Sequence, residues 1–515
     1  MKSILIGLFC TLSIFAQGQI ASEAELFSNN QLHGSPRFTA MGGAFTSLGN
    51  DPSAIGINPA GLAVYRKNDL SFSLGFENQQ AQLGTFYGAN VNSSGFNVNV
   101  ENAALSFQFG DKSKSTGQFS FGIYHNTLAR YNNNYNILGF NNTNTLGQYW
   151  GENSANQNVD IISNDAFAAW QAFVLVSEEV GNNNIILNEN SSYAYGDYDS
   201  TSNTVTATSD VQFTYNQSGS LTETGLALGG QVENNFYYGI SFNFPTLSLR
   251  REEFITEYIN EQDAVAPYDL EQYTYRRLSD MYGTGFNMKL GFIYSPLPEF
   301  RIGASYQTPS WFTVRQVYDF DVAARFASTS QIENSEIFST GEYSYRLRTP
   351  AIFRIGVSSV LAKKLILSLD YQLANPVNTT LYTNRNSYNI TDQTLNTYEQ
   401  QISGLFNNNQ SSIAAGVEYK IKNFFLRGGY RVNQSTYTPE FEELATSALT
   451  IFSGGIGYRF GAITIDLAYT NSSFSQNLIT YTTFNDQTAA SEQVIDDLKT
   501  EVVNHNVIAG ITYRW

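Results

Sequence analysis

The sequence predicts an all-β fold: an antiparallel transmembrane barrel of about fourteen strands, with an N-terminal hatch, or plug, inside the lumen and long outer loops containing short helices. Three observations predict it. Apolar and polar residues alternate with period 2 over segments of about ten residues, the length that crosses a bilayer as a tilted strand. The connections between those segments alternate, imperfectly, between short and long, as periplasmic turns and extracellular loops do. Charged residues make up only 14% of the chain and aromatic residues another 14%, which suits a lipid-facing band better than a wetted surface.

The chain opens on an expected secretory signal peptide, residues 1–18. Lys2 supplies the positive region, Ile4 to Phe15 the apolar core, and Ala16-Gln17-Gly18 a small-x-small cleavage site. The apolar run is too short for a spanning helix, and no later segment holds about 20 continuous apolar residues. The single cysteine, Cys10, falls in this leader, so the exported chain is expected to lack disulfides, thiol chemistry and cysteine metal sites. Residues 19–66 are the expected hatch and 67–515 the barrel. Gly34 to Leu62 has neither helical nor strand period, little charge and many small residues. Such a segment cannot build a core of its own, but its small side chains let it lie close against a wall. Pro52 and Pro59 restrict φ, and Asn58 is a turn former.

Strands are expected near Asn68–Asn78, Glu101–Gly110, Gly117–Tyr131, Thr222–Glu233, Phe236–Arg250, Gly285–Ser295, Phe300–Phe320, Tyr343–Val360, Lys364–Gln372, Ser412–Tyr419, Phe424–Val432, Ile451–Phe460, Ala462–Ser472 and Asn504–Trp515. In Gly461 to Tyr469, for example, Ile463, Ile465, Leu467 and Tyr469 oppose Thr464 and Asp466. Asn132–Leu221, Arg251–Thr284 and Ala374–Ser411 read as long loops, with helix-like stretches at Asp165–Val180 and Glu492–Val503. In the first of these, Phe167, Trp170 and Phe173 share a face that is expected to pack on neighbouring loops; an external landing site for substrate is the alternative. Alternation turns Arg354, Asp370, Glu418, Arg427, Arg431, Arg459, Asp466 and Arg514 inward, where charges must pair. The expected role is a network bracing wall and hatch; the alternative is that Arg427 or Arg459 meets a ligand carboxylate.

The final Val507-Ile508-Ala509-Gly510-Ile511-Thr512-Tyr513-Arg514-Trp515 resembles the C-terminal assembly signal by which the barrel assembly machinery takes up outer-membrane barrels, with Ile508 where a polar residue is usual. Ala40-Met41-Gly42-Gly43-Ala44, Asp51-Pro52-Ser53-Ala54 and Asn58-Pro59-Ala60-Gly61-Leu62, in that order between leader and first strand, resemble the FadL/TodX family of outer-membrane transporters of hydrophobic compounds. Arg301-Ile302-Gly303-Ala304-Ser305-Tyr306 is similar to a later strand of that family. The resemblance implies residence in the outer membrane of a Gram-negative cell and transport of a ligand such as a long-chain fatty acid or hydrocarbon. It implies gating by Asn58, Pro59 and Ala60 with Gly42 and Gly43. It also implies exit into the membrane lipids through a gap at the third strand, where Gly122, His125 and Asn126 are the candidates. A plug that only seals the pore is the alternative for the hatch residues.

Other chemistry finds little support. His33, His125 and His505 are scattered without a metal-ligand cluster, and there is no phosphate loop, dinucleotide fingerprint or nucleophile elbow, so no metal, cofactor or catalytic residue is assigned. The net charge of −17 argues against nucleic acid. Two other functions stay open: a protein-binding shuttle or scaffold in a secretion system, which long loops would suit, and, more remotely, an outer-membrane lipase.

Overall fold

The computed structural model describes residues 23–515 apart from 29–30, 87–88, 111–117, 143–144, 155–156, 160–161, 176, 180–184, 188–196, 200–203, 207–208, 234, 260–269, 328–331, 335–337, 384–389, 440–446, 479–481, 485–491 and 495–497. The expected signal peptide, with Cys10, lies outside the described residues.

Each alternating segment becomes one wall strand, and there are fourteen. They are β1 Asp69–Phe86, β2 Ala89–Phe109, β3 Phe119–Arg130 (carried on by Asn133–Asn142), β4 Ser209–Val232, β5 Phe236–Ile259 and β6 Leu270–Leu297. Next come β7 Phe300–Gln307 with Trp311–Phe326, β8 Phe338–Arg348 with Ile352–Leu361, and β9 Leu365–Ala374 with Thr380–Tyr382. The last are β10 Gln410–Ile421, β11 Phe424–Asn433, β12 Leu449–Phe460, β13 Ile463–Leu478 and β14 Leu498–Arg514. Neighbours pair antiparallel, and β14 closes on β1 from Asp69↔Arg514 to Leu83↔Thr500. Closure leaves no edge whose peptide groups would face hydrocarbon unpaired.

The outer face is the apolar one. Ile465 and Leu467 are 48% and 44% exposed, while Asp466 between them is 7% exposed. The inward charges keep the expected phase: Arg354, Asp370, Glu418, Arg427, Arg431 and Asp466 are buried, and Arg459 and Arg514 half-buried. Ile508, the departure from the terminal pattern, also points inward and packs with Ala468 on Ala40 of the N-terminal segment.

Three expectations change at the outer end. The strands run further than the apolar alternation, so parts of Asn132–Leu221 and Arg251–Thr284 are paired strand: β4 and β5 ladder from Val232↔Phe236 out to Ser209↔Ile259. The described residues of Glu492–Val503 are strand, not helix. Glu492–Val494 pairs with Thr482–Phe484, and β14 starts at Leu498, with Val502 and Val503 laddered to β13; β-branched side chains favour that state. The expected helix at Asp165–Val180 is shorter, α3 Asn164–Gln171, after α1 Pro36–Ala40 and α2 Leu146–Ser154. Phe167 and Trp170 pack on a core that includes Trp150, Tyr273 and Phe320, while Phe173 turns out at φ 59° and is exposed. A further helix, α4 Asp392–Leu405, is capped by Thr391 and buries Leu395, Tyr398 and Ile402 against Leu381, Phe406 and Tyr437.

Candidate functional site

Residues 31–65 fill the lumen near the short-turn end, and nearly all are buried. Local chemistry shapes them. The Ser35 hydroxyl accepts from Phe38 N to cap α1, which has Pro36 in its first turn. The same hydroxyl donates to Asp51 at 2.8 Å, and Ser53 N donates to Asp51 Oδ1 at 3.0 Å. Burial holds the Asp51 carboxyl above its usual range, against the pull of Arg37 and those hydrogen bonds. Asn58 caps the 3₁₀ turn Pro59–Val64, its Oδ1 accepting from Ala60 N at 3.0 Å. Its Nδ2 donates to Thr46 O at 2.6 Å and reaches the wall carbonyls of Phe292 and Ala304 at 3.2 and 3.3 Å. Gly42 and Gly43 turn the chain at φ 65° and 75°, which a side chain resists.

The wall is carved to receive this segment. A Cβ at Gly291 would stand 1.8 Å from Asn58 Oδ1, one at Gly239 2.4 Å from Pro59 C, and one at Gly303 2.3 Å from Thr46 O. On the far side, a Cβ at Gly429 would stand 2.2 Å from Gly42 N and one at Gly416 2.6 Å from Met41 O. These glycines face one another across the ladders, Gly239↔Gly291, Gly303↔Gly356 and Gly416↔Gly429, so they form a band and not scattered points.

Charges fasten what shape admits. Arg37 Nε donates to Glu418 Oε2 at 2.8 Å, and Arg427 joins the same oxygen at 2.7 Å and Asp466 at 2.7 Å. Thr46 N donates to Asp370 at 2.7 Å, Arg301 to Leu48 O at 2.9 Å, and Lys289 to both Gly56 O and Glu223. Arg427 is therefore spent on two carboxylates. Arg459 is half-buried, with its guanidinium 5.2 Å from the Phe425 ring centre. No carboxylate lies within ion-pair distance of it among the described residues.

On β3, Gly122 meets Leu62 of the plug, where an added Cβ would lie 3.2 Å from the leucine Cδ1. His125 is half-buried, 2.9 Å from Thr224 Oγ1. Asn126 accepts from Asn102 Nδ2 at 2.6 Å and donates to Ser53 O at 3.4 Å. All three sit in regular ladder, but the β2–β3 pairing ends at Asn102↔Asn126. A bulge follows at Leu128, where the β4 register shifts between Leu221 and Thr222. There Gln31 of the plug takes up strand backbone. Its N donates to Leu128 O at 2.9 Å, Arg130 N donates to its Oε1 at 3.1 Å, and its Nε2 donates to Arg130 O at 3.2 Å.

Next to it, His33 lies 3.0 Å from Glu101, which Arg130 and Asn506 also contact. Above these, Glu23 accepts from Gln316 at 2.6 Å, Phe27 packs edge-on against Phe312 at 4.8 Å, and Glu25 is hydrogen-bonded by Tyr437 and Thr436. Burial pushes Glu25 up to about 7 despite those bonds. Two small cavities remain here. One, about 30 Å³, is lined by Phe27, Leu128, Glu223 and Phe312; the other, about 60 Å³, by Glu25, Gln31, Gln410 and Thr436. Each holds a few waters at most.

Sequence reasoning misses Gln31, His33, Glu101, Lys289 and Glu223 as parts of this site. Lys289 and Glu223 lie on the buried phase of β6 and β4, a signal that alternation carries. Glu101 sits at a β-bulge opposite Ser73 and Leu74, so it and Asn102 are both buried and alternation fails there.

No family model and no curated protein matches the chain. Among solved structures, a Pseudomonas aeruginosa FadL homologue is similar over 94% of this chain and 99% of its own, at 13% identity and TM-score 0.54. The Pseudomonas putida toluene transporter TodX is similar over 94% of this chain and 99% of its own, at 13% identity and TM-score 0.50. Likeness at that identity speaks for architecture, and together with the fourteen closed strands and the filled lumen it makes this chain a barrel of the FadL-like fold.

Proposed function

We propose that the chain passes hydrophobic compounds, such as long-chain fatty acids or hydrocarbons, across the outer membrane of a Gram-negative cell. In this reading the N-terminal segment is a moving hatch, and the cargo leaves sideways between β2 and β3. The observation that carries it is Gln31, which holds the backbone of Leu128 and Arg130 just beyond the end of the β2–β3 ladder. The upper hatch and the wall seam thus meet at Gln31, through its main chain and its side chain, and at the adjacent His33, so withdrawing the first would release the second. The direction is favourable, because an apolar molecule gains by entering lipid instead of the aqueous periplasm. Neither of the two cavities beside the upper hatch takes an acyl chain, and in this reading residues 23–28 and 31–33 withdraw as cargo passes. Asn58, Pro59 and Ala60, with Gly42 and Gly43, form the seated lower part, and Asn126 marks the edge of the exit. The fold it shares with a toluene transporter supports an apolar cargo. Of the two arginines considered for a carboxylate, Arg459 is the one without a paired acid among the described residues.

A tether tests this. Gln31→Cys with Leu128→Cys, in the chain exported by a strain deleted for the gene, should block uptake of oleate or toluene when oxidised and restore it on reduction. Equal uptake by both forms would overturn the moving hatch. Uptake of neither compound by the reduced or the unsubstituted protein would overturn transport and favour the secretion shuttle.

A further inference from the structure

We infer that two neighbouring turns at the short-turn end form a binding site for the phosphate headgroups of anionic phospholipid in the adjoining leaflet. The turn from β8 to β9 carries Lys363 and Lys364, and the strand end and turn from β10 to β11 carry Lys420 and Lys422. Lys420 N donates to Lys364 O at 2.8 Å, which fixes the two turns side by side. All four lysines are exposed, and none forms an ion pair among the described residues. The nearest inward acid on β10, Glu418, is engaged by Arg37 and Arg427. One exposed acid, Glu299, lies on the adjoining turn, where its carbonyl accepts from Val360 N. A cluster of four cations against one acid runs counter to a chain whose net charge is −17.

Depth points to lipid as the partner. Just inside the lysines, the lipid-facing surface carries Tyr419, Phe424, Tyr458 and Phe460. Phe424 and Phe460 are 56% and 59% exposed, and the Tyr458 ring contacts both, with centres at 4.5 and 4.3 Å. Aromatic rings of this kind settle at the boundary between acyl chains and headgroups. Lysines one turn beyond them lie at phosphate level, their stems along the apolar surface and their ammonium groups in the polar layer. A soluble acidic protein would gain nothing from that aromatic edge. The inference rests on how the barrel sits in the membrane and is independent of what it transports.

Native mass spectrometry of the full-length barrel in detergent micelles supplied with phosphatidylglycerol or phosphatidylcholine tests it. The unsubstituted chain should retain phosphatidylglycerol over phosphatidylcholine by about fivefold or more. The K363Q/K364Q/K420Q/K422Q variant should retain the two equally, and the corresponding Lys→Arg variant should keep the preference. Heat-modifiable migration on a gel reports folding; if the fourfold variant fails it, K420Q/K422Q should lose part of the preference. Equal retention by the unsubstituted chain, an undiminished preference in the Gln variants, or equal displacement of the lipid by inorganic phosphate and by polyglutamate at low concentration would each overturn a lipid site.

Discussion

The lower and upper parts of the N-terminal segment are held in different ways. Residues 34–65 fit by shape, backbone against glycine, with charges such as Arg37–Glu418 fixing the fit. Residues 23–28 and 31–33 are held largely by polar contacts of single side chains: Glu23 with Gln316, Glu25 with Tyr437 and Thr436, Gln31 with Arg130 and His33 with Glu101. A shape fit made along several strands at once is lost together or not at all. Hydrogen bonds from single side chains can be lost one at a time. The same segment therefore combines a part fitted by shape with a part held by separable contacts.

The comparison can be broken at its firmest point first. Glu418→Leu strips Arg37 of its carboxylate and leaves Arg427 with Asp466 alone. Losing one partner of a buried pair costs about 3–5 kcal/mol, read as a lowered midpoint in urea unfolding from vesicles. Gly291→Ala drives a methyl into Asn58 and should cost about 1–3 kcal/mol by overpacking. It should also raise permeability to small polar antibiotics, a leak that a loosened seal would show.

The upper part should answer to pH. Glu25 is held above its unfolded value, so its neutral form favours the docked state. Docking is then strongest below about 4.5 and weakens as pH rises towards about 7. Hydrogen exchange of residues 24–28, corrected for intrinsic rates, should quicken from pH 5 to pH 8, and Glu25→Gln should flatten that change. The smallest effect has the opposite sign. A methyl added at Gly404 in α4 would meet nothing within 4 Å, so Gly404→Ala should stabilise the outer region by about 0.5–1 kcal/mol. A loss there equal to that at Gly291 would mean that the wall glycines are not special.

The wall was legible because lipid and lumen impose opposite demands on alternate residues. Ile463, Ile465 and Leu467 against Thr464 and Asp466 could be read in no other register. Beyond the lipid that contrast fades. In Asn133–Asn142 and Ser209–Leu221 both faces carry polar residues, and paired strand reads as loop. The lower plug was visible as a stretch that could build no core and as a motif around Asn58. The upper plug fell within the expected hatch, but its contacts could not be read, since His33 and Gln31 derive their roles from partners on β2 and β3 that stand 68 and 99 positions away in the chain. Arg427 shows the remaining limit. Its inward phase was plain, but whether it was free for a ligand depended on Glu418 and Asp466 on the adjacent strand and one further on.

The glycine band also bears on how the molecule is put together. It draws on β5, β6, β7, β10 and β11, while Pro36 meets Gly510 on β14, the last strand, which closes on β1. The first residues of the segment to be made therefore complete their fit only when the last strand arrives. Until then they must wait within an open sheet, because a closed wall that approaches backbone this tightly leaves no room to thread them in afterwards. Insertion and sealing are in that sense a single event, and a barrel that closed early would be left empty and open.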